Sequence, residues 1–339
     1  MMKLASEIRW QDRDFRVPIE RIKACERYGY DAVFAAEGFG SDCSTPLGHV
    51  AAHTSRLTLG TRIAQVTGRS PGVTAMSFQT LSAMADGRVI AGLGSSSPEV
   101  SAGLHARPWG SPLHRMRDFV TLLRQGFSGQ PLKNHGREID VPADGGAPMS
   151  TFLQPTPHIP ILVGAAGPKM ISTTAEIADG WFPAAFSPGM LATYMPLLEE
   201  GFRRAGNGKS ISDFQVWAHV DVLVDDDVRA AMRKFKEYVA MWPQLQHAQL
   251  ASLGYPELSR TLQELTAAGR HQEAIEAVPD EYIDHGWLVG PLSRIARNLD
   301  PWLSSGLTGL IIRYGPQGPD QRYEEPDEVF KAIADAVKG

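Results

Sequence analysis

The sequence predicts an α/β fold in which eight strands alternate with helices and close into a (β/α)8 barrel, and three observations carry that prediction. The first is the stretch from Leu57 to Gly94: a β-rich strand from Leu57 to Ile63, a Ser/Pro-broken loop, a helix, then a second strand from Arg88 to Gly94. The second is that this β–α alternation recurs along the chain, with no Gly-x-Gly-x-x-Gly after the first strand. That argues for a closed barrel over an open dinucleotide-binding sheet, although periodicity alone does not settle the choice. The third is length: 339 residues suit one barrel of typically about 250 residues plus insertions, so a single domain over 1–339 is expected.

In chain order, Lys3 to Ile8 reads as a first strand that carries Glu7 near its end. A helix follows from near Pro18, with Ile19, Ile22, Cys25 and Tyr28 on one face, and Gly29 closes it. Asp31 to Ala36 is the second strand, opening into Glu37-Gly38-Phe39-Gly40, and Thr45-Pro46 starts a helix to about His53. The third strand leads to a helix with Pro71 just inside its start and Gly87 just past its end. After the fourth strand comes the hydroxyl-rich loop Ser95-Ser96-Ser97-Pro98, and Ser111-Pro112 reads as the cap and first turn of a helix to about Gly126.

The Gly- and Pro-rich segment 128–160 reads as an insertion lying over the barrel mouth. Ile161 to Val163 is the fifth strand, opening into Gly164-Ala165-Ala166-Gly167-Pro168 and a helix from about Lys169 to Ala178. Asp179 to Phe182 is the sixth strand, Pro188 to Ala205 a helix, and Phe214 to Val224 the seventh strand. Asp225, Asp226 and Asp227 then cap a long amphipathic helix, their charge complementing its dipole. The helical, polar segment 242–285 is a second insertion. A helix from Gly290-Pro291 to about Ser305, a last strand from Leu307 to Arg313 and a closing helix from Pro326 to Val337 complete the chain.

Composition narrows the function. With 43% hydrophobic and 21% charged residues the chain is globular, and a net charge of -5 gives no electrostatic reason to bind nucleic acid or an anionic membrane. Two cysteines, Cys25 and Cys43, suggest free thiols rather than a disulfide framework or zinc site, and the histidines show no metal-ligand spacing. The first ten residues lack a signal-peptide core, and no apolar run approaches the roughly 20 residues that span a bilayer. A cytoplasmic protein acting on small molecules, with no bound metal, is therefore expected.

Gly60-Thr61-Arg62-Ile63, Arg69-Ser70-Pro71, Leu81 to Gly87 before Arg88, Gly92-Leu93-Gly94, and Gly164 to Pro168 with Ala178-Asp179-Gly180-Trp181 together resemble the bacterial luciferase-like superfamily. Within it they look most like the deazaflavin (coenzyme F420)-dependent oxidoreductases, including methylenetetrahydromethanopterin reductase. The resemblance covers nearly the whole chain and is weakest in the two insertions. It implies a luciferase-like TIM barrel that binds F420, or alternatively FMN, at the carboxyl ends of its strands, and commonly a homodimer.

The same resemblance implies a non-proline cis peptide between Arg62 and Ile63. It assigns Arg62, Ile63, Ala64 and Gln65 at that bulge, Ser95, Ser96 and Ser97 after the fourth strand, and Gly164, Ala165, Ala166 and Gly167 after the fifth to the cofactor. The last group suits a phosphate on general grounds, because small residues expose N–H groups in front of a helix N-terminus. Glu7 lies where the reductases carry a substrate-facing glutamate, and Glu37 matches the acidic half of an acid–histidine pair; each is a candidate proton donor as hydride moves. Gly38 stands where that histidine would be, which argues against sugar-phosphate oxidation. Trp109 and Trp181 read as packing residues, and His105 as structural. The resemblance thus implies hydride transfer between F420 and a small organic substrate. Its rivals are an FMN-dependent monooxygenase using oxygen and a flavin-binding relative without catalysis.

Overall fold

The computed structural model of the chain describes residues 2–11, 13–243, 247–316 and 325–338; residues 244–246 of the expected second insertion fall outside them. Eight parallel strands close on themselves: β1 (Lys3–Ile8), β2 (Ala32–Ala35), β3 (Thr58–Thr61), β4 (Val89–Gly94), β5 (Ile161–Ala165), β6 (Gly180–Pro183), β7 (Gln215–Leu223) and β8 (Gly309–Tyr314). Each pairs with the next, and β8 returns to β1 with Ala5 opposite Ile311, which leaves no open barrel edge. The barrel, rather than the open sheet, is therefore the fold.

Helices surround it: α1 (Ile19–Arg27), α2 (Ser44–Ala51), α3 (Pro71–Met84), α4 (Pro98–Gly103), α5 (Pro112–Phe127), α6 (Pro168–Ile177), α7 (Met190–Ala205) and α8 (Val228–Met241), all expected but α4, a short helix after the hydroxyl-rich loop. Their starts follow local chemistry. The Ser70 side chain accepts from the Val73 N–H at 3.3 Å, with Pro71 in the first turn of α3, and Asp227 accepts from the N–H groups of Arg229 and Ala230 to start α8. At α5 the cap differs from expectation, because the Ser111 hydroxyl bonds His114 Nδ1 at 2.7 Å instead of a backbone amide.

Past α8, the second insertion forms α9 (His247–Ser252), α10 (Leu258–Ala267), α11 (His271–Ala277) and α12 (Asp280–Gly286). A short strand, Leu288–Val289, which the alternation did not reveal, extends β7. The single helix expected after Gly290 is two, α13 (Leu292–Asn298) and α14 (Asp300–Leu303), before α15 (Asp327–Lys338).

Strand periodicity divides the barrel's side chains. One set, including Leu4, Val33, Leu59, Val163 and Val220, packs against the helices. The other fills the axis: Ala5, Ala32, Phe34, Ile90, Leu162, Phe182, Trp217 and Ile311 form an apolar plug, with Phe34 edge-on to Phe182 at 5.3 Å and to Trp217 at 5.2 Å. The barrel is thus a packed core and not a pore.

β3 breaks after Thr61 and resumes at Ala64–Gln65, so it carries one residue more than β4 between the pairs Gly60–Ile90 and Ala64–Leu93. The Arg62–Ile63 peptide within this bulge is cis, at the position the resemblance implies. Neighbouring atoms fit the bulge closely. The Thr61 hydroxyl donates to the Gly92 carbonyl at 2.6 Å and lies 3.0 Å from the Gly92 N–H, standing in for the missing ladder bonds. A Cβ at Gly92 would sit 1.7 Å from the Thr61 carbonyl oxygen, and one at Gly94 would sit 2.4 Å from the Ile63 side chain. The glycines of β4 therefore make the notch that Ile63 occupies.

Segment 128–160 departs from expectation. Its small hairpin, Asn134–His135 with Asp140–Val141, is held along α5 by Asp118, which accepts from the Glu138 and Ile139 amides. No residue of the segment lines either cavity at the mouth.

Candidate functional site

The alternation that builds the plug also builds what lies above it. Two residues beyond Ala5, Ile311 and Trp217 on the same strand faces stand Glu7, Arg313 and His219, and two beyond His219 stands Asp221. Arg62 joins them from the bulge. Apolar side chains thus give way to a layer of charge at the carboxyl ends of β1, β3, β7 and β8.

This layer is cross-paired. Arg62 donates to Glu7 Oε2 at 2.5 Å and to His219 Nδ1 at 2.5 Å. Arg313 grips Asp221 with two bonds of 2.6 and 2.8 Å and lies 3.8 Å from Glu7 Oε1. The Trp287 indole also donates to Asp221, at 3.2 Å. Glu7 and Asp221 are 5% and 2% exposed, so their charges depend on these partners. Burial works against the charge of Arg313, but Asp221 and Glu7 outweigh it and hold its pKa above the ordinary value. Burial, reinforced by the charges of Arg313 and Arg62, pushes the His219 imidazole well below its ordinary pKa and keeps it neutral.

Two cavities open beside this layer, and Arg62 and Ala184 line both. The smaller, about 190 Å³, is a polar chamber walled by His219, Asp221, Arg313, Tyr238 of α8, Gln249 of α9 and Trp287. The second insertion, through Gln249, thus reaches the mouth. The larger, about 580 Å³, is a trough running from Ile63 past Gly94, Ser95 and Ser96 to Gly164–Gly167, with Trp109, Met170 and Phe182 among its walls. At its far end Gly167 occupies the N-cap position of α6 without a side-chain cap, leaving first-turn amides for a ligand. Trp181 donates to the Ala165 carbonyl at 2.9 Å and fixes the end of β5 from behind.

Of the residues expected to hold a cofactor, Arg62, Ile63, Ser95, Ser96, Gly164, Ala165, Ala166 and Gly167 all line the trough. Ala64, Gln65 and Ser97 do not. Ala64 and Gln65 are buried and pair with Leu93 and Gly94, and Ser97 caps α4 through the Val100 N–H. Gln65 is fully engaged: its amide nitrogen donates to the Gly38 carbonyl at 2.6 Å and its oxygen meets His105 Nε2 at 2.9 Å.

Glu37 sits behind the bulge, accepting from the Gln65 backbone at 2.8 Å and paired with Arg69 at 2.5 Å. Neither Glu7 nor Glu37 lines either of these two cavities. His219, Asp221, Arg313, Tyr238 and Trp287 escaped the sequence reading, and Trp109 lines the trough although it reads as a packing residue. Part of the signal was present, since Trp217, His219 and Asp221 recur at every second residue with polarity rising toward the strand's carboxyl end.

An orphaned donor lies at the junction of the cavities: Arg62 Nε is buried with no hydrogen-bond partner. A ligand offering an acceptor there would satisfy it. Together with the uncapped helix at the trough's far end, this fits a flat heterocycle with a phosphorylated tail.

Comparison with known proteins agrees with this geometry. A family model described as luciferase-like monooxygenase matches residues 4–309. A Mycobacterium tuberculosis protein named as a coenzyme F420-dependent oxidoreductase is 34% identical over 312 residues, covering 87% of this chain and 90% of that protein. Among solved structures, the F420-dependent tetrahydromethanopterin reductase of Methanopyrus kandleri superposes with a TM-score of 0.76 at 22% identity, covering 99% of this chain and 98% of that one. An F420-dependent secondary alcohol dehydrogenase, solved with an F420–acetone adduct, gives 0.73 at 17% identity, covering 100% and 99%.

Proposed function

Because the chain belongs to the luciferase-like monooxygenase family, we propose that it is an oxidoreductase moving a hydride between coenzyme F420 and a small organic substrate. The observation that carries this reading is the trough that ends on uncapped helix amides and shares Arg62 with a separate polar chamber. One cavity suits a phosphorylated heterocycle, and the other suits what reacts with it.

When bound, the deazaflavin supplies a carbon centre that takes or gives a hydride. The protein's residues do the rest. Gly164 to Gly167 and the start of α6 would hold the phosphate, while Ile63, seated against Gly94 and Gly164, would support the ring. Ser95 and Ser96 offer hydroxyls along the trough. Glu7 orients Arg62 and Arg313, and Glu37 holds the bulge through Gln65 and Arg69; both carboxylates, expected as proton donors, act here as positioning residues.

The test is to titrate the purified protein separately with F420 and FMN and follow fluorescence. F420 binding, weakened about tenfold or more in Ala166→Asp, supports the proposal; micromolar FMN binding with no F420 binding overturns it and favours the monooxygenase. Bound F420 that no panel of alcohols, ketones or enones oxidises or reduces would favour the non-catalytic relative.

The exposed apolar face of α3, with Val73, Met76 and Met84 at 50, 46 and 52% exposure, suits a second copy of the chain, so a homodimer in light scattering is expected. No described helix is long and apolar enough to cross a membrane, and two buried free thiols, Cys25 and Cys43, suit the reducing cytoplasm.

A further inference from the structure

The polar groups around the chamber are almost all committed to one another. Asp221 accepts from Arg313 and Trp287, Arg313 is held by Asp221 and Glu7, and Arg62 donates to Glu7 and His219. Gln249 donates to the Phe186 carbonyl at 3.3 Å and accepts from the Tyr282 hydroxyl at 3.1 Å. Two uncharged polar groups of the wall have no hydrogen-bond partner among the described residues, the second nitrogen of His219 and the hydroxyl of Tyr238; the Nε of Arg62, also unpartnered, is buried.

The state of His219 follows from its neighbour. A guanidinium can only donate, so Nδ1, bonded to Arg62, is an acceptor and carries no proton. The imidazole is neutral, so its single proton is on Nε2. Burial likewise raises the pKa of Tyr238 and keeps its hydroxyl protonated. Among its uncharged groups the chamber therefore offers one fixed donor, and one hydroxyl able to donate or accept.

We propose that His219 Nε2–H and the Tyr238 hydroxyl bind the oxygen of an uncharged carbonyl or alcohol substrate, and that this pair sets substrate class. The charge balance argues the same way. Glu7 and Asp221 offset Arg62 and Arg313 at contact distance, so an anion would have to displace a buried carboxylate and a cation would face two guanidiniums. Size sets a further limit: about 190 Å³ is room for roughly six waters, hence a substrate of roughly six non-hydrogen atoms.

The inference rests on the hydride-transfer reading for its consequence, and its test can be read without turnover. Protein with 15N-labelled histidine is studied by NMR, with His219 assigned by comparison with His219→Gln. The probes are 3-methyl-2-butanone, its isosteric anion isobutyrate and the matching cation 3-methyl-2-butylammonium.

His219 is expected as the Nε2–H tautomer, shifted by the ketone and by neither charged isostere. Tyr238→Phe should weaken ketone binding by about tenfold while F420 affinity and the thermal midpoint stay near wild type; His219→Phe should weaken it at least as much, with a lower midpoint because Arg62 loses an acceptor. An Nδ1–H tautomer, isobutyrate binding as tightly as the ketone, or undiminished ketone binding in Tyr238→Phe would overturn the inference. F420 binding without a ketone response sinks this inference alone, whereas a ketone response in a protein that ignores F420 sinks the cofactor assignment alone.

Discussion

The two cavities at the barrel mouth touch through Arg62 and Ala184 but are built in opposite ways. The trough is made of backbone and small side chains, Gly94, Ser95, Ser96 and Gly164 to Gly167, and its polar capacity is largely main-chain. The chamber is made of large polar and aromatic side chains from β7, β8, α8 and α9, most of them fixed by another. A site for a large invariant group can be moulded from backbone, whereas a site that selects a small substrate needs side chains held in one geometry. The two should therefore fail differently.

The largest expected effect is in the chamber. Asp221→Ala leaves Arg313 with Glu7 alone and should cost about 3–5 kcal/mol in urea unfolding, as for other buried ion pairs deprived of one partner. A loss below about 1 kcal/mol would mean water already compensates the pair, and the contrast would fail.

Next comes the notch beside the trough. Gly92→Ala drives a methyl into the Thr61 carbonyl and should cost roughly 3 kcal/mol, displacing Ile63 and weakening F420 binding together. Unchanged stability would show that the bulge yields.

A smaller effect lies outside the barrel. The Arg117 bonds, joined by those of Arg204, lower the pKa of Glu176 from 4.5 to about 2, tying α6 to α5 and α7 behind the trough. A depressed carboxyl pKa stabilises the folded state above the unfolded value, and that stability is lost as pH falls from about 4.5 toward 2. With solvent screening the effect is about 1 kcal/mol, and Glu176→Gln should remove it and flatten the acid limb of a stability–pH curve. An unchanged acid limb would remove Glu176 from the account.

The smallest structural effect belongs to Ala166→Asp. Its position is exposed, so stability should move by less than about 0.5 kcal/mol, while F420 affinity drops about tenfold or more by charge repulsion. Equal affinity would separate the trough's end from the phosphate.

These differences also explain what the sequence made legible. The barrel and most of the trough were readable because each piece is local: a strand, a glycine-rich turn and a helix start are contiguous in Gly164 to Lys169, and Gly92-Leu93-Gly94 precedes Ser95 and Ser96 directly. The chamber was not, because Glu7, Arg62, His219 and Arg313 meet only when strands far apart in the chain come into register. Glu37 shows the converse. A carboxylate at a strand's end reads as chemistry, yet here it ties down the resumed third strand through Gln65. The placement of segment 128–160 was illegible for a similar reason: composition says only that an insertion leaves the barrel, and the contacts of Asp118 and Gln249 decide that 242–285, not 128–160, lines the chamber.

The aromatic plug of Phe34, Phe182 and Trp217 has a consequence for traffic. It fills the axis directly below the charged layer, so among the described residues no passage leads from the chamber down through the barrel. Arrival and departure then run on the mouth side, where Gln249 of α9 and Gly286 of α12 line the chamber. The release rate of a finished molecule should then respond to changes in α9 and α12, which take no part in the reaction itself.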